Sequence, residues 1–376
     1  MIFYEIAIFI FACCVIEFSL KILNAGNYGY LNKVKGLNFK LCYSLVFIFL
    51  AIFSGFRTEG VDRDYPEYLN MLAQVPPFPK VLTSDLSGVH GDPIFYFISS
   101  LVNAINGEPF ILFFAFSLTS LALYRWCFIN YSYFPFLSLF IYFCHSFLNK
   151  EMTQIRNGLS SAFLLVMLCC LSERKKIKSI LFLILSFLAH SSGLVGILLY
   201  FNRIFSQKNN VIYYVGFVVS LVLYFFWYQL FLLLPQSISI VQNIQQYISW
   251  DLYNYSLSLF NPVLLKGVLY FILFVYIKGR FGLNKRFDIF IFSYFLSICF
   301  YIAFNDIAIL GARIASTLSG AEFILIPAVI NRLLECNKKL EAAAIFLVTV
   351  FISVVFLYSN LEIKNIFGTY DINIFA

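Results

Sequence analysis

Charge is scarce in this chain. Of 376 residues, 26 are Lys or Arg and 19 are Asp or Glu, 12% together, about half the usual share of roughly 25%. Apolar residues reach 61% and mean hydropathy is +0.85, where soluble domains hold about 45–50% apolar residues. A water-soluble enzyme is thereby excluded and an integral membrane protein indicated. Histidine is scarcer still, at three residues, which excludes a His-rich metal centre. Nine cysteines are present, yet none forms a CxxC pair. The neighbours 13–14 and 169–170 have poor disulfide geometry on a helix, so the cysteines read as small core residues. No Walker loop, no GxGxxG followed by a ribose-binding acid and no GxSxG occurs. No metal and no cofactor is expected.

What the chain has is apolar runs, at about 2–23, 41–56, 93–105, 109–124, 133–148, 153–171, 179–200, 211–234, 262–277, 287–304, 314–331 and 341–359. Each helical span needs about 20 such residues, so the runs consume the chain. The reading is all-α: a single polytopic membrane domain over 1–376 with about 10–12 transmembrane helices. The first run is acid-containing, lacks a basic leader and small-residue cleavage site, and reads as a retained span.

The net charge of +7 describes topology, not a nucleic-acid surface. Lys21, Lys33, Lys35 and Lys40 form one basic cluster, and Arg125 stands alone. Arg174, Lys175, Lys176 and Lys178 form another, followed by Arg203 and Lys208. Lys278, Arg280, Lys285 and Arg286, then Arg332, Lys338 and Lys339, complete a set of 18 of the 26 cations. The positive-inside rule places all of them in the cytoplasm. Parity then fails twice. Three runs separate the 21–40 cluster from Arg125, so the short run 93–105 reads as interfacial or re-entrant. Three more separate 174–178 from 278–286, so run 179–200, broken by AHSSG at 189–193, reads as a helix pair dipping in and out with His190 near its turn. On this map loops 57–92 and 235–261 face outward. The first is irregular around Pro76, Pro77 and Pro79. The second carries no Lys or Arg and reads either as an interfacial aromatic helix or as a sugar-stacking surface.

The stretch FRTEGVDRDYPEY, 56–68, holds Arg57, Arg63, Glu59, Asp62, Asp64, Glu67, Tyr65 and Tyr68 at a membrane edge. Gly60 permits a turn with close backbone approach, and Pro66 suits a helix start. Further cations lie outside the cytoplasmic clusters: Arg57, Lys150, Arg156, Lys266 and Arg313 stand at or just within the outer ends of spans. Ionisable groups there need a partner or a wet cavity, and arginine forks suit phosphate oxygens. Lys150 reads as a plain loop charge. Acids on the same side are Asp62, Asp64, Asp92, Asp306 and, deeper, Glu322, whose partner is expected from another span. His145 reads as a satisfied bundle histidine. Ser191 and Ser192 read as backbone caps of a broken helix.

Four places carry a resemblance: Arg57, Gly60, Asp64, Tyr65 and Tyr68 in the outer loop; Arg156 in MTQIRNGLSSAFLL; His190 in LSFLAHSSGL; and Arg313 in LGARIAS. In order and spacing the pattern resembles the EpsG/Wzy-type polysaccharide polymerases of bacterial membranes. Asn157 stands where that family commonly has Gln. VDR intervenes between Gly60 and Asp64, leaving both Asp62 and Asp64 open as the family's acid. The resemblance implies a multi-pass glycosyltransferase of the bacterial inner membrane. Its substrates would be undecaprenyl diphosphate-linked oligosaccharide donor and acceptor, polymerised at the periplasmic face into O-antigen, capsule or exopolysaccharide. A chain-length regulator is a partner by analogy, and no nucleic acid is expected. Arg57, Arg156 and Arg313, with Lys266, are then expected to hold the donor diphosphate, because charge develops on its oxygens. Asp62, Asp64 or His190 is the expected base for the acceptor hydroxyl. Tyr65 and Tyr68 orient sugar or phosphate, and Glu322 joins the substrate-binding set. The rival readings are a flippase for lipid-linked oligosaccharide, favoured by broken helices, and a lipid-linked glycan ligase.

Overall fold

The computed structural model describes residues 1–23, 37–86, 88–89, 91–105, 107–202, 211–233, 235, 241, 245, 258–305, 307–364 and 367–371. Asp306, His90 and most of loop 235–261 lie outside the described residues. All named elements among the described residues are helical. They are α1 (Ile2–Leu23), α2 (Leu37–Gly55), α3 (Tyr65–Gln74), α4 (Pro93–Ile105), α5 (Pro109–Tyr131), α6 (Pro135–Tyr142) and α7 (Ile155–Ser172). These are followed by α8 (Lys176–Ala189), α9 (Val211–Leu232), α10 (Pro262–Phe281), α11 (Asp288–Ala303), α12 (Ala308–Ser319), α13 (Glu322–Glu335) and α14 (Lys339–Tyr358). Prolines open several of them, where the missing N–H costs nothing. Pro66, Pro109, Pro135 and Pro262 all lie in a first turn, and the Asn261 side chain caps α10 by accepting from the Val263 N–H at 2.8 Å.

Seven helices among the described residues are long and apolar enough to cross a membrane, so the chain is a multi-pass membrane protein. The central span is α7, with 83% of its apolar window buried, while α1, α10 and α14 are 28–33% buried and turn most of their surface to lipid. The sequence supports that position. Gly158, Ser160, Ser161 and Ala162 give α7 a small-residue face on which neighbours approach closely, and a Cβ at Gly158 has no room against the Lys150 carbonyl.

Contacts define two ends. At one, Lys21 bonds the Tyr133 carbonyl, Arg286 donates to the Tyr133 hydroxyl at 2.9 Å, Arg332 donates to the Phe281 carbonyl and Lys278 pairs with Asp288 at 2.9 Å. Three of the basic regions meet there, as the parity argument requires. At the other end Tyr4 donates to Glu362 at 2.9 Å, and the segment 367–371 lies against the loop after α2. There Gly368 N–H bonds the Val61 carbonyl at 3.0 Å, Thr58 N–H bonds the Asp371 carbonyl at 3.3 Å, and the Tyr370 ring stacks 4.1 Å from Phe53. Gly60, at φ 92°, makes its close approach here: its carbonyl meets Gly368 where no Cβ fits.

Both short segments behave as parity demands. α4 begins beside Asp92, which pairs with Arg156 at the outer end of α7. It closes against the same outer loop, for Asn103 donates to the Leu72 and Val75 carbonyls at 2.8 and 2.7 Å. α5 then starts with Phe110 and Phe114 packed on Phe56, still at the outer end, so α4 does not cross. The chain from α8 turns at His190 into a 3-10 helix, Ser191–Phe201. Gly193 meets Ser186, Gly196 meets Leu183, and the Ser179 and Tyr200 hydroxyls close the pair at 2.9 Å. The two arms therefore run antiparallel and return. At 14 and 11 residues they span only ~21 and ~22 Å.

One expectation is corrected. The segment that carries Lys150 is not a loop: after α6 the helix continues as a π-helix, Phe143–Thr153, buried along most of its length.

A membrane-impermeant thiol reagent on intact cells checks the map. Glu59→Cys and Glu108→Cys, both exposed and flanking α3 and α4, are expected to label above the parental background, and Lys175→Cys and Lys285→Cys are not. Labelling at 59 without labelling at 108 would make α4 a span.

Candidate functional site

Arg57 closes the outer end of α2. Its side chain is sealed from solvent, and its Nε bonds Asp62 Oδ2 at 2.6 Å. Nη1 and Nη2 donate to the Ser54 and Met152 carbonyls, each at 2.6 Å. The guanidinium lies 4.2 Å over the Phe113 ring. Asp62 Oδ1 accepts the Asp64 N–H at 3.0 Å. The planar fork thus ties α2, the outer loop and the π-helix together, and both Asp62 oxygens are engaged. Neither side chain is open to solvent.

The remaining outer-loop groups gather around α7 and α12. Arg156 Nη1 pairs with Asp92 Oδ2 at 2.8 Å, with the two side chains 14 and 15% exposed. The Tyr68 hydroxyl bonds Arg156, and Asp92 also accepts the Ser191 N–H. Arg313 acts electrostatically on Asp64, Tyr68, Asp92 and Lys150. Asp64 keeps a 30% exposed side chain beside Arg63. Burial raises its carboxyl above the ordinary range, Arg63 and Arg313 pull it back, and Asp62 adds to the rise. Burial likewise raises Asp92, against the pull of Arg156. Tyr65 stacks on Phe113 at 4.7 Å and packs the loop instead of reaching this group.

His190 sits at the hairpin turn. Its Nδ1 accepts the Ser192 N–H at 3.1 Å, capping the 3-10 helix, and Ser192 Oγ lies 2.9 Å from the same nitrogen. Ser192 and Thr317 both donate to Asn157 Oδ1, at 3.3 and 3.0 Å. Asn157 therefore joins the hairpin to α7 and α12. With Nδ1 accepting a backbone N–H, the neutral ring carries its proton on Nε2. In that tautomer Nε2 presents a hydrogen-bond donor.

Deeper in the bundle, Glu322 accepts from Lys266 at 3.0 Å and from the Tyr294 hydroxyl at 3.1 Å, and its Oε1 lies 2.8 Å from His145 Nδ1. Four different helical segments supply these groups, so its partners do come from other spans. Lys266 and Glu322 are 9 and 2% exposed and neutralise each other away from the Arg156 group. His145 is satisfied on one side only, its Nε2 being buried without a hydrogen-bond partner among the described residues.

Lys150, read from the sequence as a plain loop charge, is corrected by the structure. It is no loop charge: it is 3% exposed, and its Nζ donates to Ser316 Oγ at 2.9 Å, one turn from Arg313 on α12. The adjacent Glu151 is buried too, accepting from Tyr142 at 2.6 Å and from Ser120. A Lys-Glu pair directly after an apolar run looked like its aqueous end. No signal in the sequence separates the two cases.

Among the described residues no three His, Cys, Asp or Glu side chains group as metal ligands, and all nine cysteines are free.

Comparison with known proteins places these residues in a family. The EpsG family model matches residues 40–370. The amylovoran biosynthesis protein AmsC of Erwinia amylovora is 23% identical over 334 residues, covering 83% of this chain and 85% of its own. No solved structure matches.

Two outcomes follow from the geometry. Arg57→Lys cannot serve Asp62 and two carbonyls at once, and breaking a buried pair costs about 3–5 kcal/mol, so folded yield in detergent is expected to collapse. His190→Asn keeps a capping oxygen and is expected to hold its melting temperature, whereas His190→Ala loses about 1 kcal/mol of cap. Loss of activity in the Asn variant would assign the Nε2 side to chemistry, and full activity would leave His190 as a cap alone.

Proposed function

The chain belongs to the EpsG family, and on that premise we propose that it is a membrane glycosyltransferase that polymerises lipid-linked oligosaccharide repeats into a surface exopolysaccharide. The AmsC relative is named for the biosynthesis of one such polymer. The observation that carries the reading is the half-buried Arg156–Asp92 pair with Arg313, Tyr68 and Asp64 around it at the outer end of the bundle.

In the proposed step the acceptor hydroxyl oxygen attacks the anomeric carbon of the donor. The bond from that carbon to the diphosphate oxygen breaks, and the electron pair leaves with the diphosphate. Arg156 and Arg313 stabilise that charge, which needs cations and no general acid. The hydroxyl proton passes to Asp64. Among the acids considered from sequence, Asp62 has no free oxygen, while Asp64 is accessible and its raised pKa makes it a better proton acceptor. Arg57 and Lys266 act on the site through structure, since their donors are committed to protein partners. Undecaprenyl diphosphate as the carrier, the periplasmic face of the inner membrane as the place, and a chain-length regulator as partner belong to the same proposal.

A deletion strain tests it through the ladder of its surface glycan. The expected result is single repeats on the surface acceptor with the ladder lost. Wild-type chain restores it, Arg156→Ala and Asp64→Asn do not, and each accumulates in the membrane at wild-type level. If no repeat reaches the surface and lipid-linked units build up inside, the protein moves its substrate instead. If Asp64→Asn alone restores the ladder, the base lies elsewhere.

A further inference from the structure

A cavity of 640 Å³ lies between α5, α7 and α8, away from the outer cluster. Leu118, Leu123, Val166 and Phe182 wall it, and Trp126, Tyr131, Lys175 and Lys178 stand where α5 and α8 reach the basic end of the bundle. Along α5 the lining runs from Leu118 to Tyr131, ~20 Å at 1.5 Å per residue. One leaflet of hydrocarbon is about 15 Å deep, half of a 30 Å core. The groove therefore accommodates an acyl chain through its own leaflet, with room left at the headgroup.

The polarity is graded along that axis. Apolar residues fill the inner two-thirds of the groove, aromatic side chains with polar tips follow, and ammonium groups come last. That is the order of a phospholipid read from chain to phosphate. The charge at the mouth is net positive. Arg174, Lys175, Lys176 and Lys178 are opposed by Glu173, which pairs with Lys175 and bonds the Tyr131 hydroxyl. Lys178 is exposed and has no ion pair among the described residues. A second groove, of 580 Å³ between α1 and α2, is a useful contrast: its only charged lining residue is Glu5, so it has walls for a chain and nothing to choose an anionic headgroup.

We propose that the α5–α7–α8 groove is a specific site for an anionic phospholipid of the cytoplasmic leaflet, its phosphate held by Lys178 and Lys175 and one chain laid along α5. The site is independent of the polymerase reading. It places a lipid against α7, the helix that carries Arg156 and Asn157, and against α8, which leads to His190.

Thermal unfolding of the full-length protein in neutral detergent, titrated with dioleoylphosphatidylglycerol or dioleoylphosphatidylcholine, reads the site directly. Each lysine near an anionic surface contributes enough for a preference of about thirtyfold in the stabilising concentration from two of them. The expected result is that preference in wild type, its loss in Lys175→Ala/Lys178→Ala, and its loss in Ala122→Trp, which fills the groove from a lipid-facing position and leaves the mouth intact. Lys338→Ala/Lys339→Ala, in another basic cluster, is expected to keep it. Equal effects of the two lipids, or a preference that survives in the Lys175/Lys178 variant, would overturn the proposal.

Discussion

A charged side chain at membrane depth must find a partner, and this requirement organises the outer half of the molecule. Arg57 meets it with one carboxylate, two carbonyls and an aromatic face. Lys266 meets it with Glu322, and Arg156 with Asp92. Each pairing joins elements distant in sequence. Arg57 fastens the loop after α2 to Met152, Glu322 gathers α10, α11 and the π-helix, and Arg156 fixes the start of α4. Such pairs add little net stability over a well-packed apolar core, because desolvation offsets the attraction. What they fix is register: a helix shifted by one turn would leave an unpaired ion in hydrocarbon.

The same requirement separates two kinds of cation that look alike in sequence. Arg57 and Arg156 both follow or open an apolar run beside acidic neighbours. Arg57 has a sealed side chain and three donors spent on fixed groups, so a ligand would have to displace part of the fold. Arg156 is held by Asp92, just before α4, and by the Tyr68 hydroxyl on α3. An anion arriving there exchanges one partner for another without opening the bundle.

The fold was legible to the extent that charge and length encode it. The basic clusters identified one end of the bundle, and parity singled out both segments that do not cross, 93–105 and the pair around His190. The second break was visible because Ala-His-Ser-Ser-Gly interrupts a run with residues that bond backbone. The site was legible as a set of residues on one face but not as a set of roles. Asp62 and Asp64 are two positions apart and chemically identical, and only the direction of the Arg57 fork distinguishes the tied carboxylate from the accessible one. Lys150 was illegible because a buried lysine and an exposed one have the same neighbours in sequence. The contact of residues 367–371 with Gly60 was likewise beyond reach, since it pairs the chain's end with a loop some 300 residues earlier through backbone groups that any sequence supplies.

The His190 hairpin shows how the same economy reaches the backbone. Irregular backbone at membrane depth is tolerated only where protein or water satisfies it. Here the Ser192 N–H goes to an imidazole, and the turn is held through the Ser192 side chain to Asn157 and Thr317. Ser191 N–H goes to Asp92, so the carboxylate that neutralises Arg156 also terminates the hairpin. Charge at the site and geometry of the turn are therefore not independent. Were Arg156 drawn away from Asp92, that aspartate would keep the Ser191 N–H as its donor at the hairpin end, so the arginine and the turn share one carboxylate.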